Sequence, residues 1–240
     1  MPKAMATRRV QRELLKIDGR AVEVTMRLNP RARRLIVKVH PSTGEVTVVA
    51  PSRRGLDRAL DFARGEAPWI ARQLARVPKP IPLVPGAYVP FLGREHMIVK
   101  MERGAVTRDA DAAAITVGGR VEHAQRRVID FLKREARRIL DERSNEFAAL
   151  IEAKVKRITV RDTASRWGSC STSKTISYSW RLILAPQFVL DYVVAHEVAH
   201  LREMNHGPRF WRLVRAIIPD IESPQAWLRK NGTALHRYGA

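Results

Sequence analysis

Hydrophobic and polar residues alternate with period two over residues 21–28, where Val22, Val24 and Met26 share a side, and again over 34–39, where Leu35, Val37 and Val39 do. Asn29-Pro30 between these runs predicts a hairpin turn. Pro41-Ser42-Thr43-Gly44 predicts a second turn, leading to a third strand over 45–50 that Pro51 closes. The period then becomes helical over 56–77, with Leu60, Phe62, Ile70 and Leu74 apolar, and Pro68 divides this stretch into two pieces. The proline-rich residues 78–86 admit no helix. They form an extended connector, either a free linker or a strap held against the body by Ile81, Leu83 and Val84. Short strands follow over 87–92, 96–102 and 114–117, set apart by Gly93-Arg94 and Gly104. Gly118-Gly119 is the expected boundary between an N-terminal β-hairpin-rich lobe with helix, residues 1–118, and a second domain, residues 119–240.

The second half opens on one long amphipathic helix over 120–153 and a strand over 156–161 with Ile158 and Val160 on one side. A strand over 176–184 precedes a helix that Pro186 opens and that carries a wide apolar stripe of Phe188, Leu190, Val193, Val194, Val198 and Leu201. Helices over 208–218 and 223–230 finish an α+β chain without internal repeats. The 45% apolar content is enough for one sizeable core or two small lobes.

The apolar helix carries His196-Glu197-Val198-Ala199-His200. Spacing of i, i+4 puts two imidazoles on one face, one turn apart, with Glu197 placed to act as a general base toward a metal-activated water. His206, six residues beyond His200, is the favoured third ligand, because Asn205 or Gly207 can take a left-handed conformation that turns the chain back and Pro208 can open a further helix. Glu203, Asp220 and Glu222 are the alternatives. Three imidazoles with an adjacent carboxylate predict zinc, although ligand type alone leaves manganese, nickel and iron open. For the oxyanion partner, Tyr192, Tyr178 and Arg202 are the candidates, each weighed against a packing or surface role.

Around this motif stand Arg166-Trp167-Gly168-Ser169-Cys170-Ser171, Ile176-Ser177-Tyr178-Ser179-Trp180-Arg181-Leu182, Leu184-Ala185-Pro186, 191–201 and Met204-Asn205-His206-Gly207-Pro208-Arg209-Phe210-Trp211. Together these residues resemble the bacterial YgjP-like metallopeptidases, relatives of the SprT-like proteases. The resemblance is detailed over residues 155–219 and looser over the hairpin-rich N-terminal half. It implies a compact zincin-like fold with the HExxH helix beside a small sheet, zinc on His196, His200 and His206, and Glu197 as the catalytic carboxylate. Metzincins share the spacing but carry Gly where Glu203 stands here and a downstream Met-turn, and no Met follows Met204. Trp167, Gly168, Ser169 and Cys170 are candidates for an edge against which a protein or peptide substrate adds a strand, the alternative being a tight turn beneath the active-site helix. A thiol nucleophile at Cys170 is disfavoured, because no orienting triad accompanies it.

Charge adds a second theme. The formal net charge of +20 is spread over both halves, which rules out a basic tail. On the long helix, Arg127, Arg134 and Arg138 fall on one stripe, opposite Val128, Phe131, Leu132, Ile139 and Leu140. DNA or another polyanion is the functional reading of that stripe and a solvated arginine-rich face the plain one; sparse aromatics leave no stacking platform for single strands. The rival to a peptidase is thus a basic nucleic-acid-binding protein with a structural or residual metal site. The lone Cys170 excludes an internal disulfide, and neither a leader-type apolar region nor a membrane-length run occurs, so a cytoplasmic protein is expected.

Overall fold

In the computed structural model, residues 10–40, 43–77, 79–163 and 166–239 are described. Two compact units divide the chain, Met1–Lys79 and Pro80–Ala240. In the first, β1 (Val10–Ile17), β2 (Arg20–Leu28), β3 (Ile36–Val39) and β4 (Val46–Ala50) form a sheet of order β1-β2-β4-β3. The expected hairpin between the second and third strands is not made. Instead β2 pairs antiparallel with β1 and parallel with β4, and β3 pairs antiparallel with β4. The β1–β2 hairpin turns at Asp18-Gly19, both with positive φ (46° and 77°), as a tight two-residue turn between twisted strands requires. β1 escaped the periodicity reading because only Leu15 and Ile17 are buried and the rest of the strand is exposed and mostly polar.

The expected helix over 56–77 is three short helices rather than two: α1 (Arg53–Asp57), α2 (Ala59–Gly65) and α3 (Ala67–Ala75), with Pro68 in the first turn of α3 where its missing N–H is harmless. Leu56, Ala59, Ala63 and Ile70 close over Val24, Met26, Val46 and Val48 to make this unit's core. Of the turn expected at Pro41-Ser42-Thr43-Gly44, Pro41 and Ser42 lie outside the described residues, and Gly44 is left-handed with φ 73°.

The second unit begins with a sheet of order β5-β6-β8-β7, built from β5 (Tyr88–Phe91), β6 (Arg94–Met101), β7 (Thr107–Asp109) and β8 (Ala114–Gly118). β7 is wholly exposed, so no apolar period announces it. The inner residues Val89, Phe91, Ile98, Ile115 and Val117 share one core with Val128, Phe131 and Leu132 of α4 (Ala124–Leu150). The unit boundary therefore does not fall at Gly118-Gly119 as expected: these strands bury their apolar side in the same core as α4, and the division lies between Lys79 and Pro80. Of the proline-rich connector, Pro78 lies outside the described residues. The remainder is a docked strap: Ile81 N–H donates to the Arg237 carbonyl at 2.7 Å, Gly239 N–H donates to the Ile81 carbonyl at 2.9 Å, and Leu83 is fully buried.

A three-stranded sheet of order β10-β11-β9 comes next, from β9 (Arg157–Arg161), β10 (Gly168–Cys170) and β11 (Thr175–Ser179); β11 runs antiparallel to β10 and parallel to β9. The strand expected over 176–184 stops at Ser179, whose hydroxyl accepts from Arg181 N–H and starts a 3₁₀ turn, Trp180–Leu184. Helices α5 (Gln187–Ala199), α6 (Pro208–Ile217) and α7 (Glu222–Leu235) complete the unit, with α5 in contact with α4, α6, α7 and β10. Among the described residues no helix is long and apolar enough to cross a membrane.

Arg181 pins the turn that feeds α5. Its buried guanidinium donates to Asp162 at 3.1 Å and to the carbonyls of Leu235 (3.2 Å) and Tyr238 (2.6 Å), so β9, the turn and the end of α7 meet on one side chain. Arg181→Ala leaves two carbonyls without this donor and is expected to cost about 2–4 kcal/mol, read as a lowered urea midpoint. An unchanged midpoint would contradict this role.

Candidate metal centre

α5 is apolar nearly all round: Val189, Leu190, Val193, Val194, Ala195, Val198 and Ala199 are buried, as expected of a helix largely enclosed by protein, whereas Phe188 at its start is exposed. Its last turn carries His196 and Glu197, and His200 caps its C-terminus. The i, i+4 spacing brings the His196 and His200 ring centroids to 5.1 Å. Beyond His200 the helix tightens, with Leu201 N–H donating to the Val198 carbonyl and Arg202 N–H to that of Ala199. The chain then turns back without a left-handed residue at Asn205 or Gly207. Gly207 is extended (φ −80°, ψ −175°) and caps α6, whose first turn contains Pro208.

This return places His206 Nε2 3.1 Å from His196 Nε2, and donor nitrogens of His196, His200 and His206 all lie within 4.8 Å of one another. His200 Nδ1 lies 3.0 Å from the Glu203 carbonyl; donating there leaves the Nε2 lone pair free, and such an outer bond commonly orients a ligating imidazole. Burial, then the neighbouring His200 and His206, push His196 down to about 4, and burial likewise lowers His200. Neutral imidazoles are the form that binds a metal. Two nitrogens on a tetrahedral zinc stand about 3.3 Å apart, close to the 3.1 Å between His196 and His206. The residues therefore fit a divalent ion.

The alternative third ligands are placed elsewhere. Glu203 contributes its carbonyl, while Asp220 accepts from the N–H groups of Glu222 and Ser223 at the start of α7. Among the described residues the three histidines are the group suited to holding an ion.

Glu197 is buried where α5 meets β10. A Cβ on Gly168 would lie 2.5 Å from Glu197 Cγ and Oε1, so only glycine lets strand and carboxylate approach this closely. Burial raises the Glu197 carboxyl to about 7, against the opposing pull of Arg166 and the Cys170 backbone N–H. β10 itself pairs with β11 on one side and is an edge of its sheet. Gly168, Ser169 and Cys170 form this edge as a strand rather than a tight turn, and Trp167 packs on His236 (5.3 Å between rings) and against Gly232. Burial, with Glu197, pushes the Cys170 thiol up to about 11, which keeps it protonated at neutral pH.

Of the oxyanion candidates, Tyr178 is fully buried with its hydroxyl 2.9 Å from that of Ser144, and Arg202 donates to the Ile151 carbonyl at 2.5 Å. Tyr192 adjoins His196 (6.1 Å between rings), and its oxygen accepts from Gln225 Nε2 at 2.8 Å. Sequence reasoning missed Phe210. It is fully buried, with its ring 4.5, 4.7 and 4.9 Å from those of His200, His206 and His196, and so forms an apolar floor under all three. Its place four residues after His206 was the available signal. Arg166, the cation whose field reaches Glu197, was also missed.

The arginine stripe does not survive as a unit. Arg127 donates to the carbonyls of Gly118 and, at 2.7 Å, Gly104, and is thus a clamp on the loops around β8. Arg138 is ion-paired with Glu135 (3.1 Å) and Glu142 (3.0 Å), and Arg134 is exposed.

No curated protein matches the chain. Among solved structures, it is similar to the crystal structure of the metallopeptidase zymogen of Pyrococcus abyssi abylysin, at 18% identity over 39% of this chain and 92% of that one, with a TM-score of 0.35. The family model described as YgjP-like, metallopeptidase domain, matches residues 33–231, most of both units. By that match, the chain belongs to the YgjP-like metallopeptidase family.

Proposed function

We propose that this protein is a zinc-dependent, zincin-like peptidase in which His196, His200 and His206 hold the ion and Glu197 moves the proton. The observation that carries this reading is the approach of three imidazole nitrogens to within 4.8 Å, with a buried carboxylate on the helix that carries His196. A bound zinc supplies Lewis acidity, which makes water more acidic and polarises a peptide carbonyl. Glu197 accepts the proton of the attacking water at a carboxylate oxygen and hands it to the leaving amine nitrogen. Its carboxyl, raised to about 7, suits both accepting and releasing that proton near neutral pH.

The substrate lies extended along β10, adding a strand to the open edge formed by Gly168, Ser169 and Cys170. This course brings a peptide past Glu197, which touches the same strand at Gly168. Tyr192, whose oxygen already accepts from Gln225, keeps its own proton for the developing oxyanion. Substrates are proteins or peptides, and the +20 charge favours those associated with nucleic acid. The single cysteine suits a reducing compartment such as the cytoplasm.

Three variants separate the parts of this proposal. Glu197→Gln is expected to retain zinc while kcat on a casein substrate falls by about 10²–10⁴-fold; wild-type turnover would remove Glu197 as the base and favour a structural or residual metal site. Gly168→Ala pushes a methyl group into Glu197, so kcat should drop at least about tenfold with zinc content unchanged, since small displacements of a reacting group are felt strongly. Phe210→Ala should loosen the three rings and weaken zinc binding by about tenfold, with partial recovery in Phe210→Leu. Equal zinc affinity in all three forms would show that the floor does not position the ligands.

A further inference from the structure

Away from the histidines, α4 and β9 flank an open cavity of about 530 Å³ whose wall is strongly basic. Lys133, Arg134, Arg137 and Arg138 reach it from α4, and Arg161 from the end of β9. One carboxylate, Asp162, faces these five cations, and it is bound to the buried Arg181 at 3.1 Å. Arg138 is matched by Glu135 and Glu142. Arg134, Arg137 and Arg161 make no ion pair among the described residues, and all three side chains are exposed. Such a concentration of like charge is unfavourable unless an anion or its counterions offset it.

We infer that this cavity binds the phosphodiester backbone of nucleic acid. The cations form a short double row: Lys133 and Arg137, and Arg134 and Arg138, are each one helical turn apart, so two neighbouring pairs of charges stand about 5–6 Å apart on α4. A polymer charged on every unit meets a row of this kind at each step, whereas an acidic peptide does so only where its carboxylates happen to fall. Three of the five cations, Arg134, Arg137 and Arg161, are arginines outside any ion pair among the described residues, and their forked donors match phosphate oxygens. The floor provides no base readout. Trp180 is almost wholly buried and Arg181 covers its ring at 4.6 Å, so bases cannot stack on it. Binding is therefore sequence-independent and set by charge.

The cavity's position gives it a use. Arg161 pairs with Ser179 on β11, and the adjacent Tyr178 pairs with Gly168 on β10. Two inter-strand spacings, roughly 10 Å, thus separate the basic wall from the β10 edge. Nucleic acid held there lies beside that edge, where a protein carried on it is within reach. The binding itself is independent of the peptidase reading, because it is measured without catalysis.

The test is fluorescence anisotropy of the full-length protein with labelled 20-nucleotide DNA, single-stranded and duplex, between 50 and 200 mM NaCl, on the order of conditions where phosphate contacts are salt-sensitive. Wild type is compared with Arg134→Gln/Arg137→Gln/Arg161→Gln and with Arg31→Gln/Arg33→Gln/Arg34→Gln, which removes the same charge from an exposed segment of the other unit. The cavity variant should bind about tenfold or more weakly, with the log–log salt slope reduced by about 2–3, while the remote variant changes affinity less than about threefold. Unaltered circular dichroism certifies the fold; should the triple variant melt early, Arg137→Gln alone must still weaken binding by about threefold. Equal losses in the two triple variants would reduce the effect to net charge and overturn the site. Undetectable binding by wild type at 50 mM salt, or on the order of equal competition by polyglutamate of matched charge, would overturn the assignment to nucleic acid.

Discussion

Desolvation of a carboxylate and two imidazoles at the end of an apolar helix is the constraint around which the second unit is arranged. Water would ordinarily satisfy such groups, and their removal from it is costly unless partners replace it. α5 cannot offer those partners itself, since its remaining surface is packed against α4, α6, α7 and β10. The neighbours supply most of them: Glu203 gives His200 a carbonyl, His206 returns to face His196 Nε2, and β10 comes close enough at Gly168 for the Cys170 N–H to reach Glu197, while His196 Nδ1 stays buried without a hydrogen-bond partner among the described residues. Phe210 completes the enclosure with an aromatic floor. The same burial that raises Glu197 toward neutrality lowers His196, so one environment prepares a proton acceptor and a neutral ligand together.

The high arginine content has more than one physical meaning. Arg127, Arg181 and Arg202 direct their guanidinium groups to backbone carbonyls and hold loops, a turn and a helix end in place. Arg138 and Arg143 are engaged by carboxylates. Only after such assignments does the remaining cluster around Arg134, Arg137 and Arg161 stand out, and it differs from the stripe that helical spacing alone selects. Net charge measures attraction to polyanions at a distance; it does not say which cations are free to meet one.

Much of the site was legible because its chemistry depends on local spacing. His196, Glu197 and His200 need only the helical repeat, and the short loop to His206 kept the third imidazole near them in sequence. The long amphipathic α4 was legible for the same reason. Non-local choices were hidden. β2 pairs with β1 before it and with β4 rather than the next strand, a choice no local period encodes, and β1 and β7 carry too little buried apolar surface to show a period. The glycine pair at 118–119 looked like a boundary but is the end of β8 and the bend after it, clamped by Arg127, while the division between units lies at Lys79–Pro80, before Ile81 binds the C-terminal segment. Phe210 was hidden because an apolar helix residue announces burial without announcing what it lies against.

Metal analysis of the purified protein beside its His196→Ala and His206→Ala variants tests the central claim most directly. The account predicts roughly one zinc per wild-type chain and its loss in both variants. A wild type that binds no divalent ion, or a His206→Ala variant that holds zinc as firmly as the parent, would contradict it.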